Sequence, residues 1–331
     1  MKPENVLEIK NLKKYFPINA GVFRKSTEAI KAVDDVSFEI KNHESFGLVG
    51  ESGCGKTTLG RCLMRGIDPT DGEVFFRMQD GRELDVASAS RADLIKVRRE
   101  MQLIFQDPYS SLNPRMTVQD IIGEPLVCNR MLRGRALKDR VSELTEIVGL
   151  DRRHLERYPH AFSGGQRQRI GIARALSTNP RFLVCDEAVS ALDVSIQAQV
   201  LNLLKDLQGR LQFSFLFISH DLGVIRHISD TVGVMYVGKL VEVASARELF
   251  DNPLHPYTKS LLSARPTMDP TRKTRRILLK GEVANPAHPP SGCYFHPRCR
   301  HATKLCAEKT PDWREIAPGH FALCDRAEEI G

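Results

Sequence analysis

Apolar and polar residues alternate with a period of two over Val36-Ser37-Phe38-Glu39-Ile40, and short apolar-rich runs stand at Val6-Leu7-Glu8-Ile9 and Ile30-Lys31-Ala32-Val33. They predict three strands within the first forty residues. The run Ser45-Phe46-Gly47-Leu48-Val49 then meets a glycine-rich stretch at Gly50, after which Leu59, Leu63 and Met64 share one helical face. Strand, glycine loop and helix in that order are the grammar of a phosphate-binding α/β domain. From 107 to 162 the texture changes. Turn signals at Asp107-Pro108 and Asn113-Pro114 precede a helix over about 136–148, where Leu137, Val141, Leu144 and Val148 recur at helical spacing. This reads as an inserted helical subdomain, about 107–165. The α/β grammar resumes with a helix from Gln166 to Ser177, the apolar strand Phe182-Leu183-Val184-Cys185, a helix from about Ile196 to Arg210 and a strand from Phe213 to Ile218. A further βαβ-like stretch runs to Phe250. Prolines at 253, 256, 266, 270, 286, 289 and 290 break up the chain beyond it. The expected division is therefore a main domain over 1–264 and a C-terminal extension over 265–331.

Composition narrows the class. The 331 residues carry 48 Lys+Arg against 41 Asp+Glu, a formal charge of +7, and +4 of it falls between Arg265 and Gly331. That balance is mild for nucleic-acid binding. The basic run Arg272-Lys273-Thr274-Arg275-Arg276 has no aromatic interleaving, so no nucleic-acid partner is expected. Met1-Lys2-Pro3-Glu4-Asn5-Val6 lacks the apolar core of a signal peptide, and no run reaches the 18 or so apolar residues of a membrane span. The expectation is a soluble, cytosolic protein.

Gly50-Glu51-Ser52-Gly53-Cys54-Gly55-Lys56-Thr57 matches G-x-x-x-x-G-K-[ST] in full. Gly50, Gly53 and Gly55 let the backbone fold into a nest of N–H donors, and the following helix N-terminus adds its positive dipole end. Lys56 should reach the β/γ-phosphates and the Thr57 hydroxyl should ligate Mg²⁺. Cys54 reads as a small filler, although a phosphate nest lowers a thiol pKa. Asp186 and Glu187 end the apolar run from Phe182, and carboxylates at the carboxyl end of a parallel strand face the site that such a loop builds. Asp186 is placed to hold Mg²⁺ and Glu187 to take a proton from an attacking water. Ser163-Gly164-Gly165-Gln166 opens a helix and forms a second anion trap.

Two traps around one nucleotide resemble the ABC ATPases, in which the signature motif of one subunit closes over ATP held by the phosphate loop of another. Ser163-Gly164-Gly165-Gln166 looks like that signature, with Phe162 where Leu is more usual. The resemblance implies a P-loop NTPase α/β core with an N-terminal antiparallel β subdomain, and it covers about residues 5–265. It extends the ATP-binding set to Thr58, gives Gln106 the role of the Q-loop glutamine on Mg²⁺ and the attacking water, and makes Ser190-Ala191-Leu192-Asp193 the D-loop. His220 resembles the switch histidine at the γ-phosphate, and Tyr15 the aromatic that stacks on adenine. Ala188 departs from the family, where Pro usually follows the glutamate and stiffens the turn.

Within that family, Gln106-Asp107-Pro108-Tyr109-Ser110-Ser111-Leu112-Asn113-Pro114-Arg115, Arg157-Tyr158-Pro159-His160 and Asn252-Pro253-Leu254-His255-Pro256-Tyr257-Thr258 are similar to ATPases of dipeptide/oligopeptide importers, and the intact signature resembles their F-type subunit. The resemblance implies two transmembrane permease subunits, a second D-type ATPase as heterodimer partner and, indirectly, an extracytoplasmic peptide-binding protein. It implies a peripheral position on the cytoplasmic face of the membrane. Relatives that handle nickel chelates, glutathione or sugars leave other substrates open, and a soluble ABC ATPase acting on nucleic acid is the rival from another class. The extension holds Cys293, Cys299, Cys306 and Cys324 in a C-x5-C-x6-C-x17-C pattern, which suggests a metal rather than disulfides in a reducing compartment. A [4Fe–4S] cluster, associated with similar tails in peptide-importer ATPases, is the first expectation; Zn²⁺ and unligated thiols are the alternatives. Such a site could be structural or a sensor. Cys62, Cys128 and Cys185 read as packing residues.

Overall fold

The computed structural model describes residues 1–18, 28–264 and 277–330. The basic run at 272–276 and the expected boundary at 265 lie outside the described residues. The strands are β1 (Asn5–Pro17), β2 (Ala29–Lys41), β3 (Ser45–Val49), β4 (Asp71–Arg77), β5 (Glu83–Asp85), β6 (Met101–Ile104), β7 (Phe182–Asp186), β8 (Ser214–Ile218), β9 (Thr231–Tyr236), β10 (Lys239–Ser245), β11 (Arg314–Ala317) and β12 (His320–Ala322). The longer helices are α1 (Lys56–Leu63), α2 (Arg91–Glu100), α3 (Val118–Cys128), α4 (Gly134–Ile147), α5 (Gly164–Leu176) and α6 (Val194–Leu211), followed by α7 (Leu222–Ile228), α8 (Ala246–Asp251) and α9 (Pro256–Ser263). They belong to two compact units.

The first unit comprises Met1–Glu8, Glu39–Ser45 and Phe75–Ile218. In it β6, β7 and β8 run parallel, with Met101 opposite Phe182 and Cys185 opposite Phe217. Every residue of β7 and β8 is buried. Continuous apolar runs of this kind are what a parallel strand covered on both faces requires. The rings of Phe213, Phe215 and Phe217 follow one another at 6.2 and 6.4 Å between centroids. The inserted helices pack on α5, burying Ile121, Ile122, Val141 and Leu144. Gly123 of α3 lets Leu137 of α4 approach, since a Cβ there would stand 3.3 Å from Leu137 Cδ1. Helix α4 begins two residues before its expected position. Helices α2 and α3 carry weaker apolar periodicity and were not expected. Ser90 and Thr117 cap them by accepting from the Asp93 and Asp120 N–H groups, and α3 absorbs Pro125.

The second unit comprises Ile9–Phe38, Phe46–Val74 and Ser219–Gly331. Here β3 lies parallel to β9, β9 antiparallel to β10, β10 to β12 and β12 to β11. The C-terminal segment thus adds strands to the sheet rather than standing apart. Glu242 of β10 is wholly buried, and it accepts hydrogen bonds from the Leu254 and His255 N–H groups at 2.7 and 2.9 Å and meets His320 Nε2 of β12 at 2.8 Å. A buried carboxylate is tolerable only with such a full set of partners. The two strands expected at 30–33 and 36–40 form the single strand β2. Asp35, with φ 61°, takes the left-handed kink that the alternation pattern treated as a break.

Candidate active site

The phosphate loop lies between β3 and α1. Gly55 has φ 109°, and a Cβ on it would come 1.9 Å from the Ala32 carbonyl oxygen, so only glycine fits this turn. Lys56 is buried; its ammonium donates to the Gly50 and Glu51 carbonyls at 2.7 and 3.1 Å and contacts Cys54 Sγ at 3.6 Å. Thr57 and Thr58 are half-buried in the first turn of α1. The Glu51 N–H donates to Tyr257 Oη at 2.9 Å, and the Cys54 carbonyl accepts from Gly238 N–H at 2.9 Å. The Cys54 side chain is buried; burial pushes its thiol above the ordinary pKa against the pull of the Lys56 ammonium.

Tyr15, on β1, is half-buried, and its hydroxyl donates to Asp34 Oδ1 at 2.5 Å. Burial, then this carboxylate, raise the Tyr15 pKa. Burial opposes ionisation of Asp34, but hydrogen bonds from Tyr15 and Tyr294 and the Lys239 ammonium at 3.2 Å outweigh it and hold the carboxyl below its ordinary value. His220 is exposed in the turn after β8, next to Asp221, whose carboxylate caps α7.

The other candidate residues stand in the first unit. Asp186 ends β7 and is buried, while Glu187 follows with φ 48°, a left-handed conformation uncommon for a side chain of this length. Three contacts hold it there. Its N–H donates to the Ile218 carbonyl at 3.0 Å, and its carbonyl accepts from both the N–H and the hydroxyl of Ser190, at 3.1 and 3.0 Å. Ala188, where the family usually has proline, is buried. Gln106 Nε2 donates to Glu187 Oε2 at 2.7 Å, which brings together two candidate residues 81 apart in the chain. Asp193 closes the D-loop by accepting from Ile196 N–H at 2.9 Å and Ser195 Oγ at 2.8 Å. Those donors lower its pKa.

Ser163 caps α5 and forms a reciprocal box with Gln166: the Gln166 N–H donates to Ser163 Oγ, and the Ser163 N–H to Gln166 Oε1 at 3.0 Å. A Cβ at Gly165 would strike Ile196 Cγ2 at 2.4 Å, and one at Gly164 would press Leu192, which ties the two glycines to the D-loop helix. Ser163 itself is exposed.

The four C-terminal thiols are half-exposed neighbours. The Cys293 N–H donates to the Cys306 carbonyl at 2.8 Å. Burial first, then the charges that the other three would carry, push the Cys293 thiol up to about 12. Among the described residues no group of three or more His, Cys, Asp or Glu side chains converges as a metal site. Cys62 and Cys185 are buried as expected, but Cys128 is exposed: it is the last residue of α3, beyond the buried Ile121, Ile122 and Leu126. Periodicity does not reveal Asp34, Tyr257 or Arg298, because each acts on a partner far away in sequence.

The profile of the family described as "ABC transporter" matches residues 33–190, and that of "Oligopeptide/dipeptide transporter, C-terminal region" matches 241–306. The oligopeptide transport ATP-binding protein AppF of Bacillus subtilis (strain 168) is 52% identical over 327 residues, 97% of each chain. OppF of the same organism is 51% identical over 328 residues, 98% of each. A solved dimer of an ATP-binding cassette in a post-hydrolysis state, bound to ADP and Pi, matches with TM-score 0.63 at 27% identity, over 73% of this chain and 99% of that one. With the phosphate loop, the strand-end Asp186-Glu187 and the capped signature helix in place, the chain belongs to the ABC transporter ATPases that carry an oligopeptide/dipeptide transporter C-terminal region.

Proposed function

We propose that this chain is the F-type ATP-binding subunit of an importer for dipeptides or oligopeptides, docked on the cytoplasmic face of two permease subunits and paired with a second, D-type ATPase. The observation that supports the reading is the Gln106–Glu187 hydrogen bond, which couples the proposed general base to the proposed Q-loop glutamine. Phosphates are bound by the Gly50–Thr58 loop, with Lys56 as the cation and Tyr15 under the base. Thr57, Gln106 and Asp186 would hold Mg²⁺, which neutralises charge on the phosphates. Glu187 takes the proton of the attacking water, and His220 contacts the γ-phosphate. At the N-terminus of α5, behind the exposed Ser163, the Gly164 and Gly165 N–H groups are the donors for ATP held by the partner ATPase. Phe105 and Tyr109, large and solvent-exposed beside Gln106, suit the docking of a permease helix, and the Arg167 guanidinium stacks 3.8 Å from the Tyr109 ring.

Among the described residues no helix is long and apolar enough to cross a membrane. Cys293, Cys299, Cys306 and Cys324 would supply one thiolate for each iron of a [4Fe–4S] cluster, with Zn²⁺ the alternative. The test is purification from a native membrane under anaerobic conditions. The expected result is co-purification with two permeases and a second ATPase, ATP hydrolysis stimulated by peptide, and stoichiometric iron with acid-labile sulfide. A lone particle on RNA would overturn the importer reading. Zinc without iron would overturn the cluster.

A further inference from the structure

We infer that Tyr294 and Arg298, which lie between Cys293 and Cys299, are positioning residues of the nucleotide site: Tyr294 sets the adenine-side aromatic and Arg298 sets the phosphate loop. This rests on the ATPase reading and adds two residues from outside the ATP-binding motifs. All the contacts lie within the second unit.

The first arm runs through Asp34. The Tyr294 hydroxyl donates to Asp34 Oδ2 at 2.7 Å, while Tyr15 donates to Oδ1 of the same carboxylate at 2.5 Å. One carboxylate therefore clamps both phenols, and its orientation is set by whichever donors it retains. The Asp34 side chain is nearly buried, so losing a donor cannot be made good by water at no cost. The Asp34 backbone is fixed as well. Its N–H donates to the Gly238 carbonyl at 2.8 Å, and Gly238 N–H donates to Cys54 of the phosphate loop at 2.9 Å.

The second arm acts on the loop directly. Arg298 Nη1 donates to Glu51 Oε2 at 3.0 Å, and its side chain is only 10% exposed against 29% for Glu51. Glu51 follows Gly50 in the phosphate loop, and its N–H is held by Tyr257, whose ring packs 5.5 Å from Phe295. A charge-assisted pair shielded from solvent is geometrically specific. Tyr294 and Arg298 lie four residues apart and end on opposite halves of the nucleotide site.

The test uses the full chain and two probes, ATP and inorganic tripolyphosphate, titrated by calorimetry, with the thermal midpoint of the nucleotide-free protein read alongside. Arg298→Ala is expected to weaken both probes by about threefold to tenfold. Arg298→Lys should recover part of the loss, and Arg298→Ala combined with Glu51→Ala should be no worse than the more affected single variant. Tyr294→Phe should weaken ATP by a similar factor and leave tripolyphosphate unchanged, because its effect passes through Tyr15. A fall in thermal midpoint with unchanged affinities would make both residues merely structural and overturn the inference. So would unchanged affinities at an unchanged midpoint while Lys56→Ala abolishes binding. Failure of the unaltered chain to bind either probe would overturn the ATPase reading and this inference together.

Discussion

Glu187→Gln is the substitution that most directly interrogates the catalytic assignment. Glu187 Oε2 accepts from Gln106 Nε2 at 2.7 Å, and a glutamine at 187 can keep that bond through its own carbonyl oxygen. The backbone contacts to Ile218 and Ser190 do not involve the side chain and persist. What disappears is the capacity to accept a proton. General-base catalysis is worth about 10²–10⁴ in rate, which corresponds to about 3–5 kcal/mol of barrier. Turnover should fall by that factor while ATP affinity is retained. Glu187→Asp separates geometry from basicity. It keeps a carboxylate and tolerates positive φ better, but withdraws it by about 1.5 Å, beyond reach of Gln106. Its rate should lie between those of the glutamine variant and the unaltered protein. The assay is phosphate release by the assembled transporter at saturating ATP, with nucleotide affinity measured in parallel. Turnover of Glu187→Gln within threefold of normal would falsify the base assignment, and loss of ATP binding would show that the carboxylate's role lies in binding instead.

Two further predictions concern how the second unit is held together. Burial pulls the His255 imidazole down to about 4, with the nearby Glu242 charge opposing, and its Nδ1 accepts from Tyr257 N–H at 3.1 Å. The unfolded chain takes that proton near pH 6.5 while the folded chain resists until about pH 4. Stability from this residue is therefore complete above 6.5 and is lost by up to about 3 kcal/mol as pH falls through that window. His255→Asn keeps an acceptor for Tyr257 without the titration, so urea unfolding at pH 7 and pH 4.5 should give a shallower dependence; an unchanged slope would refute the assignment. Phe295 is buried against Tyr236, Tyr257 and His255 at 5.3, 5.5 and 5.7 Å, so Phe295→Ala should cost about 3–5 kcal/mol and lower the thermal midpoint. A midpoint unmoved by this change would mean that the cluster does not carry the C-terminal segment.

The sequence by itself determined the elements whose physics is local. The phosphate loop is legible because its glycine spacing and lysine dictate one backbone shape, and Gly55 meets the Ala32 carbonyl just where a Cβ would be forbidden. The signature is legible because Ser163 and Gln166 cap one turn of their own helix, and β7 and β8 because buried parallel strands need unbroken apolar runs. Helices α2 and α3 were hidden by weak periodicity, and the exposure of Cys128 by its place at the end of one of them. Only the tertiary structure decided how Gln106 meets Glu187, how Asp34 joins Tyr15, 19 residues before it, to Tyr294, 260 residues after it, and how Arg298 reaches Glu51 across 247. It also decided that the C-terminal segment pairs β12 onto β10 and closes the shell of Glu242 with His320. These contacts depend on burial and on which surfaces come together, and a polar residue's spacing along the chain carries no record of the partner that desolvation will require of it.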